Sequence, residues 1–315
     1  MAGDGGSARV PHARAAAGRY TPGVRVAVAL LLLAGCDQVL GLDSREGRTC
    51  VADDVFGKGT PVPIDGSRSV EAARFDPTQS IAFLSLCDQG DASKESCDLF
   101  QSTYSRATNR LSFYAPLGVS ADMTYDSYAT VTPDARYLVF GSSRSGAIRT
   151  YISTAENGQF KTATELALIA NAVYANEPYL LGDGQTLYLA GGVGSPVQWD
   201  VYRARSGGPP AFGGGADLVA GINSATDDLA PVVSDDQLEI FFGSDRTNPM
   251  PDLRGLDIFT ASRDTSTGAF GPPAKLPALS TTNGIDWPVW LSPDRCDLYY
   301  INKVADVATL YVTHR

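Results

Sequence analysis

Five carboxylic acids recur at similar positions along the chain, and their spacing is the first indication of chemistry. Each lies six to eight residues before the turn that precedes an apolar run: Glu71, Asp126, Glu177, Asp228 and Asp286. Carboxylates that converge on one mouth would form a negative funnel for cations, amines or basic peptides. The alternative is that each acid caps its own turn by accepting backbone N–H bonds. The number of residues between the acid and the turn differs by two among the repeats, which moves the acid along its strand. This difference favours the capping alternative over a shared binding site.

Trp287 directly follows the last of these acids, and Trp290 lies three residues further on. One interpretation is that Trp287 contacts a ligand. Packing between neighbouring repeats is the other, and it is the commoner fate of so large a side chain.

Residues for nucleophilic or metal catalysis are scarce. Beyond the N-terminal segment the chain has a single histidine, His314, which argues against nucleophiles that use a histidine base. No Gly-x-Ser-x-Gly motif and no histidine-rich ligand set occurs. The acids between Asp227 and Asp236 could bind calcium, but the sequence around them contains no calcium-binding loop motif, so no cofactor is predicted. Paired carboxylates remain, and they are the catalytic groups of glycan hydrolases, so a glycan hydrolase or lyase is the alternative to a binding protein.

The acids must be positioned by the repeats in which they occur. The stretch from Asp228 to Leu276 contains four short apolar runs separated by polar turns: Ala230 to Val233, Leu238 to Phe242, Leu256 to Ala261 and Phe270 to Leu276. The runs are rich in β-branched and aromatic residues and bounded by Gly, Pro, Asp or Ser, which is typical of strands. This unit therefore predicts a four-stranded antiparallel meander.

Four further copies of the unit can be aligned on the turn before the second strand. The aligned positions are Pro77, Asp134, Asp183, Asp236 and Asp294, which gives a period near fifty residues. Four-stranded repeats of this length predict the blades of an all-β propeller. Five blades are predicted, with six as the alternative count.

The two ends of the propeller region predict how the ring closes. The last copy stops at its third strand, Leu310 to Thr313, and lacks the Phe-Gly-x-Pro tail found at Phe270 to Pro273. A similar tail lies near the front of the region, at Phe56 to Pro61. An N-terminal strand is therefore expected to complete the last blade, which would remove open sheet edges.

Four cysteines lie in the propeller region, an even number that favours disulfides in an exported chain. Cys87 and Cys97 flank the loop between the second and third strands of the first repeat and are predicted to pair. Cys50 and Cys296 are then left to each other and would join the first segment to the last repeat. Metal binding is the alternative, but neither pair has the spacing of a zinc knuckle.

Residues 1–35 carry four arginines, one aspartate and the apolar run Val26 to Leu33, which is too short to span a bilayer. Leu33-Ala34-Gly35-Cys36 resembles the lipidation site of a bacterial lipoprotein signal, with an ordinary signal peptide as the alternative. The resemblance implies removal of residues 1–35 and lipid attachment at Cys36. A short linker, 36–49, and a propeller domain, 50–315, would follow. The lipid would hold the protein on a membrane, and whether that is the inner or outer membrane is left open.

Net charge excludes one class of partner. Residues 1–35 carry four arginines and one aspartate, so their removal takes the net charge from −10 to −13. A chain this acidic, with no basic patch, is not expected to bind nucleic acid. A monomer is predicted.

Several repeat motifs resemble one family. They are Ser-Pro-Asp-x-x-x-Leu-Tyr-Tyr at Ser292 to Tyr300, Thr-Pro-Asp at Thr132 to Asp134, Ser-x-Arg at Ser244 to Arg246, and Asp-Ile-Phe at Asp257 to Phe259. Over about residues 50–315 the chain resembles TolB-type, WD40-like propellers. The resemblance implies the fold and, by analogy with periplasmic TolB, a protein-binding role in the cell envelope. TolB has six blades and an added N-terminal domain, so its partners are not carried over. We predict a membrane-anchored envelope lipoprotein whose propeller binds or scaffolds a protein, peptide or glycan.

Overall fold

The computed structural model describes residues 50, 54–64, 68–88, 97–205, 210, 212, 214–247, 255–281, 284–305 and 307–315. The predicted signal segment, Cys36 and the linker 36–49 lie outside the described residues. Within these ranges the chain is all β apart from one 3-10 turn, Pro277–Leu279. No helix among the described residues has the length and apolarity needed to cross a membrane.

The described strands are numbered β1 to β20 in chain order: Thr60–Pro61, Ser69–Phe75, Ile81–Cys87, Cys97–Ser105, Arg110–Pro116, Asp126–Val131, Tyr137–Ser142, Arg149–Glu156, Gln159–Glu165, Tyr174–Leu180, Thr186–Val193, Gln198–Arg205, Ala216–Leu218, Asp228–Val233, Glu239–Ser244, Asp257–Ser262, Ala274–Lys275, Ile285–Leu291, Asp297–Val304 and Val307–His314. They form five antiparallel four-stranded sheets. Blades one to four are β2–β5, β6–β9, β10–β13 and β14–β17, and blade five is β18–β20 with β1. The predicted five-bladed propeller is confirmed, and the six-bladed alternative is wrong.

Burial decreases from the first strand of each blade to the last. The first strand of blade four, Asp228–Val233, is buried at every position and reads as an almost continuous apolar run. The last strand of blade two, Gln159–Glu165, is mostly exposed and buries only Phe160. The first strands therefore line the propeller axis and the last strands form its rim, so we call β2, β6, β10, β14 and β18 the central strands.

The turn between the first and second strands of a blade repeats one hydrogen-bond pattern. In blade four Ser234 Oγ donates to Asp236 at 2.6 Å, and Asp236 accepts the Leu238 N–H at 3.0 Å. Thr132 and Asp134 form the same hydroxyl–carboxylate bond in blade two. The Ser/Thr-x-Asp motif is thus a capped turn, which explains why it recurs.

An irregularity in register recurs in every central strand. In all five blades the pairing of the central strand with its neighbour shifts by one residue within the strand. In three blades a non-glycine residue there has a positive φ: Tyr128 (53°), Glu177 (57°) and Ala230 (51°). Bulges of this kind redirect side chains and are common next to functional sites.

The ring closes as predicted. In β1, Thr60 pairs with Val312 and Pro61 with Tyr311, and the Val62 N–H continues the ladder to Leu310 O at 2.8 Å. The buried ring of Phe56 packs edge-on against Phe241, with centroids 5.6 Å apart. The N-terminal segment is therefore part of the core and completes blade five.

Both predicted disulfides are present, Cys50–Cys296 and Cys87–Cys97. Cys50–Cys296 links the N-terminal segment to the turn at the start of β19. Cys87 and Cys97 lie directly opposite each other at the end of the β3–β4 ladder. The disulfide interpretation is therefore confirmed over the metal-binding one.

Candidate functional site

The five predicted acids lie at three different levels along the central strands. In every blade a backbone hydrogen bond closes the turn that follows the central strand. The residues whose N–H donates this bond are, from blade one to blade five, Asp76, Thr132, Leu181, Ser234 and Ser292. Counted back from that residue, Asp126, Asp228 and Asp286 are six positions away, Glu71 is five and Glu177 is four. The three aspartates are therefore equivalent, and the two glutamates are not.

The aspartates of blades two and four make the same contacts. Asp126 is fully buried; it accepts the Ala121 N–H at 2.9 Å and an Arg144 Nη2 bond at 3.1 Å. Asp228 is also fully buried and accepts the Ser224 N–H and an Arg246 Nη2 bond. Both carboxylates thus cap the loop that leads into their strand.

Asp286 caps the same loop in blade five but has a different side-chain partner. It accepts the Thr281 N–H at 2.7 Å and, in place of an arginine, the Asn302 amide at 2.8 Å. Burial without a balancing positive charge raises the pKa of Asp286 to about 6; bonds from Thr281 and Asn302 lower it, and Asp257 raises it slightly. The three aspartates show the capping geometry, and a ligand role for them remains a prediction.

Glu71 lies at the bulge of the first central strand, between Val70 and Ala72. We call the end of the ring where the central strands begin the mouth, and Glu71 lies in the half of its strand nearer the mouth. Its half-buried carboxylate accepts the Tyr125 hydroxyl of blade two at 3.1 Å. Tyr125 itself forms a parallel bridge with Cys97, and its N–H donates to Ser143 Oγ at 2.9 Å. The Cys87–Cys97 disulfide therefore closes the ladder against which Tyr125 lies.

Trp287 packs against the strand that carries Glu71. Its ring is buried, with 4% of the residue exposed, and its Nε1 donates to Glu71 O at 3.2 Å. The side chain thus joins blade five to blade one, as in the packing interpretation. A ligand contact by Trp287 remains a prediction.

Glu177 lies on the bulge of the third central strand. Its carboxylate accepts the N–H of Ala230, the bulge residue of the next blade. Burial leaves 8% of the residue exposed. Its position on the bulge, and not at the strand's start, separates it from the three capping aspartates.

Arg74 crosses the axis from blade one to blade three and was not predicted. It is fully buried, and its Nη1 donates to Pro178 O. The guanidinium carbon lies 4.8 Å from the ring centroid of Tyr179 and 5.6 Å from that of Tyr128. Burial lowers the pKa of Arg74 to about 10, while the two tyrosines and Glu177 oppose the shift. At neutral pH the axis therefore carries a positive charge.

These side chains form one unit, which we call the axial cluster: Glu71, Arg74, Tyr125, Tyr128, Glu177 and Tyr179. Burial, and then the charges of the two glutamates, raise the pKa values of Tyr125 and Tyr128, so both hydroxyls stay protonated. The cluster can accept a cation at its carboxylates and donate hydrogen bonds from its hydroxyls and guanidinium. Among the described residues, no group of three or more His, Cys, Asp or Glu side chains is arranged to hold a metal ion.

The sequence contained one indication of Arg74, a member of the axial cluster that was not predicted. The strand Ser-Val-Glu-Ala-Ala-Arg-Phe contains two charged residues in a run that is otherwise apolar apart from its first residue, an unusual composition for a buried strand. The tyrosines gave no such signal, because aromatic residues are common in strands.

The comparisons with known proteins define the class of fold. No family model matches the chain, and no curated protein is significantly similar to it in sequence. The catalytic domain of the Coprinopsis cinerea GH62 α-L-arabinofuranosidase is similar with a TM-score of 0.52 and 11% identity, over 84% of this chain and 98% of that one. A thermostable family-43 glycoside hydrolase also gives 0.52, at 12% identity over 80% and 91%. At such identities the likeness shows the fold alone, a five-bladed β-propeller.

TolB is also among the similar solved structures, as the repeat motifs predicted. TolB from Acinetobacter baumannii gives a TM-score of 0.46 and 13% identity, over 79% of this chain. The match covers 55% of the TolB chain, so this chain spans about half of TolB's length. At this TM-score the similarity carries no inference about function.

Proposed function

We propose that this protein is an exported β-propeller that binds a protein, peptide or glycan ligand through the mouth of its central channel. The observation that carries the proposal is the half-buried Glu71 carboxylate, held by Tyr125 at the mouth. Glu177 adds a second carboxylate on the axis, and the whole chain carries a net charge of −10. These charges favour a ligand with a cationic group.

Exposed apolar side chains on the same face favour a peptide or protein as the ligand. Four of the six strongly exposed large apolar residues among those described lie on the mouth side: Met123, Val173, Val304 and Val307. Met123 and Val173 lie in the loops between blades, whereas Val304 ends β19 and Val307 begins β20 in the hairpin of blade five. Apolar contacts around a charged centre are typical of protein-binding surfaces.

Two disulfides support an exported location, because disulfides persist in oxidising compartments. Attachment to a membrane through a lipid on Cys36 is part of the proposal and rests on the signal motif in the sequence. Substituting Cys36→Ser is expected to release the protein from membranes into the soluble fraction. Unchanged membrane retention would contradict lipidation.

The proposed site can be tested by affinity capture from solubilised cell envelope. The bait proteins are wild type, Glu71→Gln and Asp217→Asn, which removes an equivalent charge from an exposed position on β13. Thermal unfolding of each bait establishes that it is folded. A partner captured by wild type and Asp217→Asn but lost with Glu71→Gln is the expected result, and a partner retained by Glu71→Gln would contradict the proposal.

A glycan hydrolase or lyase is the second candidate, favoured by one observation. The carboxylates of Glu71 and Glu177 come from non-adjacent blades, and both raise the pKa of Tyr125. A pair of carboxylates is the minimum set of catalytic groups for glycoside hydrolysis. Release of reducing sugar from an envelope glycan, abolished in both Glu71→Gln and Glu177→Gln, would establish this activity, whereas binding without turnover would exclude it for that glycan.

A further inference from the structure

Arg74 has a donor edge that the fold does not use. Nη1 donates to Pro178 O, but Nε and Nη2 are buried and have no hydrogen-bond acceptor among the described residues. Nε and Nη2 lie on the same edge of the guanidinium plane. That edge presents two parallel N–H donors, the geometry that matches the two oxygens of a carboxylate.

An unused edge of this kind is costly in a folded protein. Each buried donor without an acceptor has lost its hydrogen bonds to water without replacing them, and the loss is larger when the group is charged. Arg74 is 2% exposed, so bulk water does not reach it freely. The position sits among apolar strand residues, where an aliphatic side chain would avoid the cost. The presence of an arginine at this buried position therefore points to a use for the edge that carries Nε and Nη2.

The surroundings of Arg74 restrict what can bind. The rings of Tyr128 and Tyr179 lie against the guanidinium, so the space beside it is bounded by flat side chains. Glu177 is close enough to oppose the lowering of the Arg74 pKa, and Glu71 lies nearer the mouth. A simple anion would be repelled by these two carboxylates. A ligand that also carries a positive charge would satisfy both ends of the cluster.

We propose that Arg74 binds the carboxylate of a ligand whose ammonium group is bound by Glu71 and Glu177. The inference rests on the proposed function, since it specifies the ligand class of the same mouth. Two sources share this chemistry: a free basic amino acid, and a peptide that ends in lysine.

Matched probes that differ only at the carboxylate test the inference without altering the protein. The free amino acid is represented by L-lysine and L-lysinamide, and the peptide end by N-acetyl-Ala-Lys and its amide. Binding of each probe to wild type is measured by isothermal titration. We expect the carboxylate form of one pair to bind about tenfold or more tightly than its amide, because the charge-assisted bidentate pair is lost on amidation. The pair that shows the difference identifies the source.

Variants then assign the effect to Arg74. Arg74→Lys keeps a positive charge but lacks the two-donor edge, so the preference for the carboxylate form is expected to shrink toward unity. A preference that persists in folded Arg74→Lys would overturn the assignment. Equal binding of acid and amide by wild type, with both lost in Glu71→Gln, would overturn the inference and leave the proposed function standing. Binding of neither form would also overturn it, and the envelope capture experiment would then decide the proposed function separately.

Discussion

A single residue position illustrates how the blades diverge. The capping aspartate is paired with Arg144 in blade two and Arg246 in blade four, but in blade five the partner of Asp286 is the uncharged Asn302. An ion pair at a fully buried carboxylate offsets its loss of hydration, whereas an amide does so less completely. Asp286 is therefore the capping aspartate whose charge is least compensated.

This difference predicts a pH dependence of stability at Asp286. Its pKa in the folded protein is about 6, above the usual value of 3.8 for an aspartate, so the folded state binds the proton more tightly than the unfolded state. The stabilisation is complete below about pH 3.8 and is lost as pH rises through about 6. The expected loss is on the order of 3 kcal/mol. Denaturant unfolding between pH 4 and 7 should show a smaller decline for Asp286→Asn than for wild type, and parallel curves would contradict the account.

Some residues of the candidate site could be predicted individually from the sequence. The five acids were found, but their differing offsets concealed two roles. The alignment of blade one on Pro77 was wrong by one residue. The turn is capped by Asp76, which accepts the Ser80 and Ile81 N–H groups. Glu71 and Glu177 are separated from the aspartates by their levels along the strand, and side-chain direction after a bulge cannot be read from composition.

At the scale of the element, the second strand of blade two depends on the absence of a side chain at Gly141. A Cβ at this position would lie 1.7 Å from Asn176 Oδ1 and 3.3 Å from Ser127 Oγ. Asn176 belongs to the central strand of blade three, and its Oδ1 accepts a bond from Ser127 Oγ at 3.3 Å. The glycine therefore lets two central strands approach each other.

Substituting Gly141→Ala should destabilise the protein by about 1–3 kcal/mol, because Asn176 or the strand must move. Gly57→Ala is the control, since a Cβ there meets no atom within 4 Å. Chemical denaturation of both variants checks the prediction. Equal stability of Gly141→Ala and wild type would show that the two strands are not packed as described.

Strands and turns were predictable because each leaves a local signature. Alternating or continuous apolar runs marked the strands, and the Ser/Thr-x-Asp turns recur because Asp134 and Asp236 bond backbone N–H groups directly. The bulges were not predictable, since Tyr128 and Ala230 adopt positive φ values that their residue types do not favour. Contacts with neighbouring blades impose that conformation: the Tyr128 N–H donates to Ser85 Oγ and the Ala230 N–H to Glu177.

For the whole molecule, the disulfide between Cys50 and Cys296 fastens the ring closure. Its sulfurs join residues 246 positions apart, and β1 contributes only two residues to blade five. The double variant Cys50→Ser/Cys296→Ser is expected to lose about 2–5 kcal/mol of stability. Thermal unfolding of wild type with and without reductant gives a second measurement. A melting temperature that changes in neither experiment would contradict a stabilising role for the closure.

The overall architecture followed from repetition, because five copies of one unit leave few alternatives to a closed ring. The ligand did not follow, since the same fold carries unrelated functions. The axial cluster is assembled from blades one, two and three, and Arg74 meets Tyr179 across more than a hundred residues of sequence. Only the closed ring brings these side chains together.

The central claim is that the mouth face binds the ligand, and site-specific photocrosslinking in intact cells tests it most directly. A photoreactive residue is placed at Met123 or Val307, which are exposed on the mouth side, or at Arg136, which is exposed in a turn at the opposite end. We predict crosslinked adducts at Met123 or Val307 that are lost when Glu71→Gln is added, and none at Arg136. Adducts at Arg136 alone, or mouth adducts that persist with Glu71→Gln, would contradict the account.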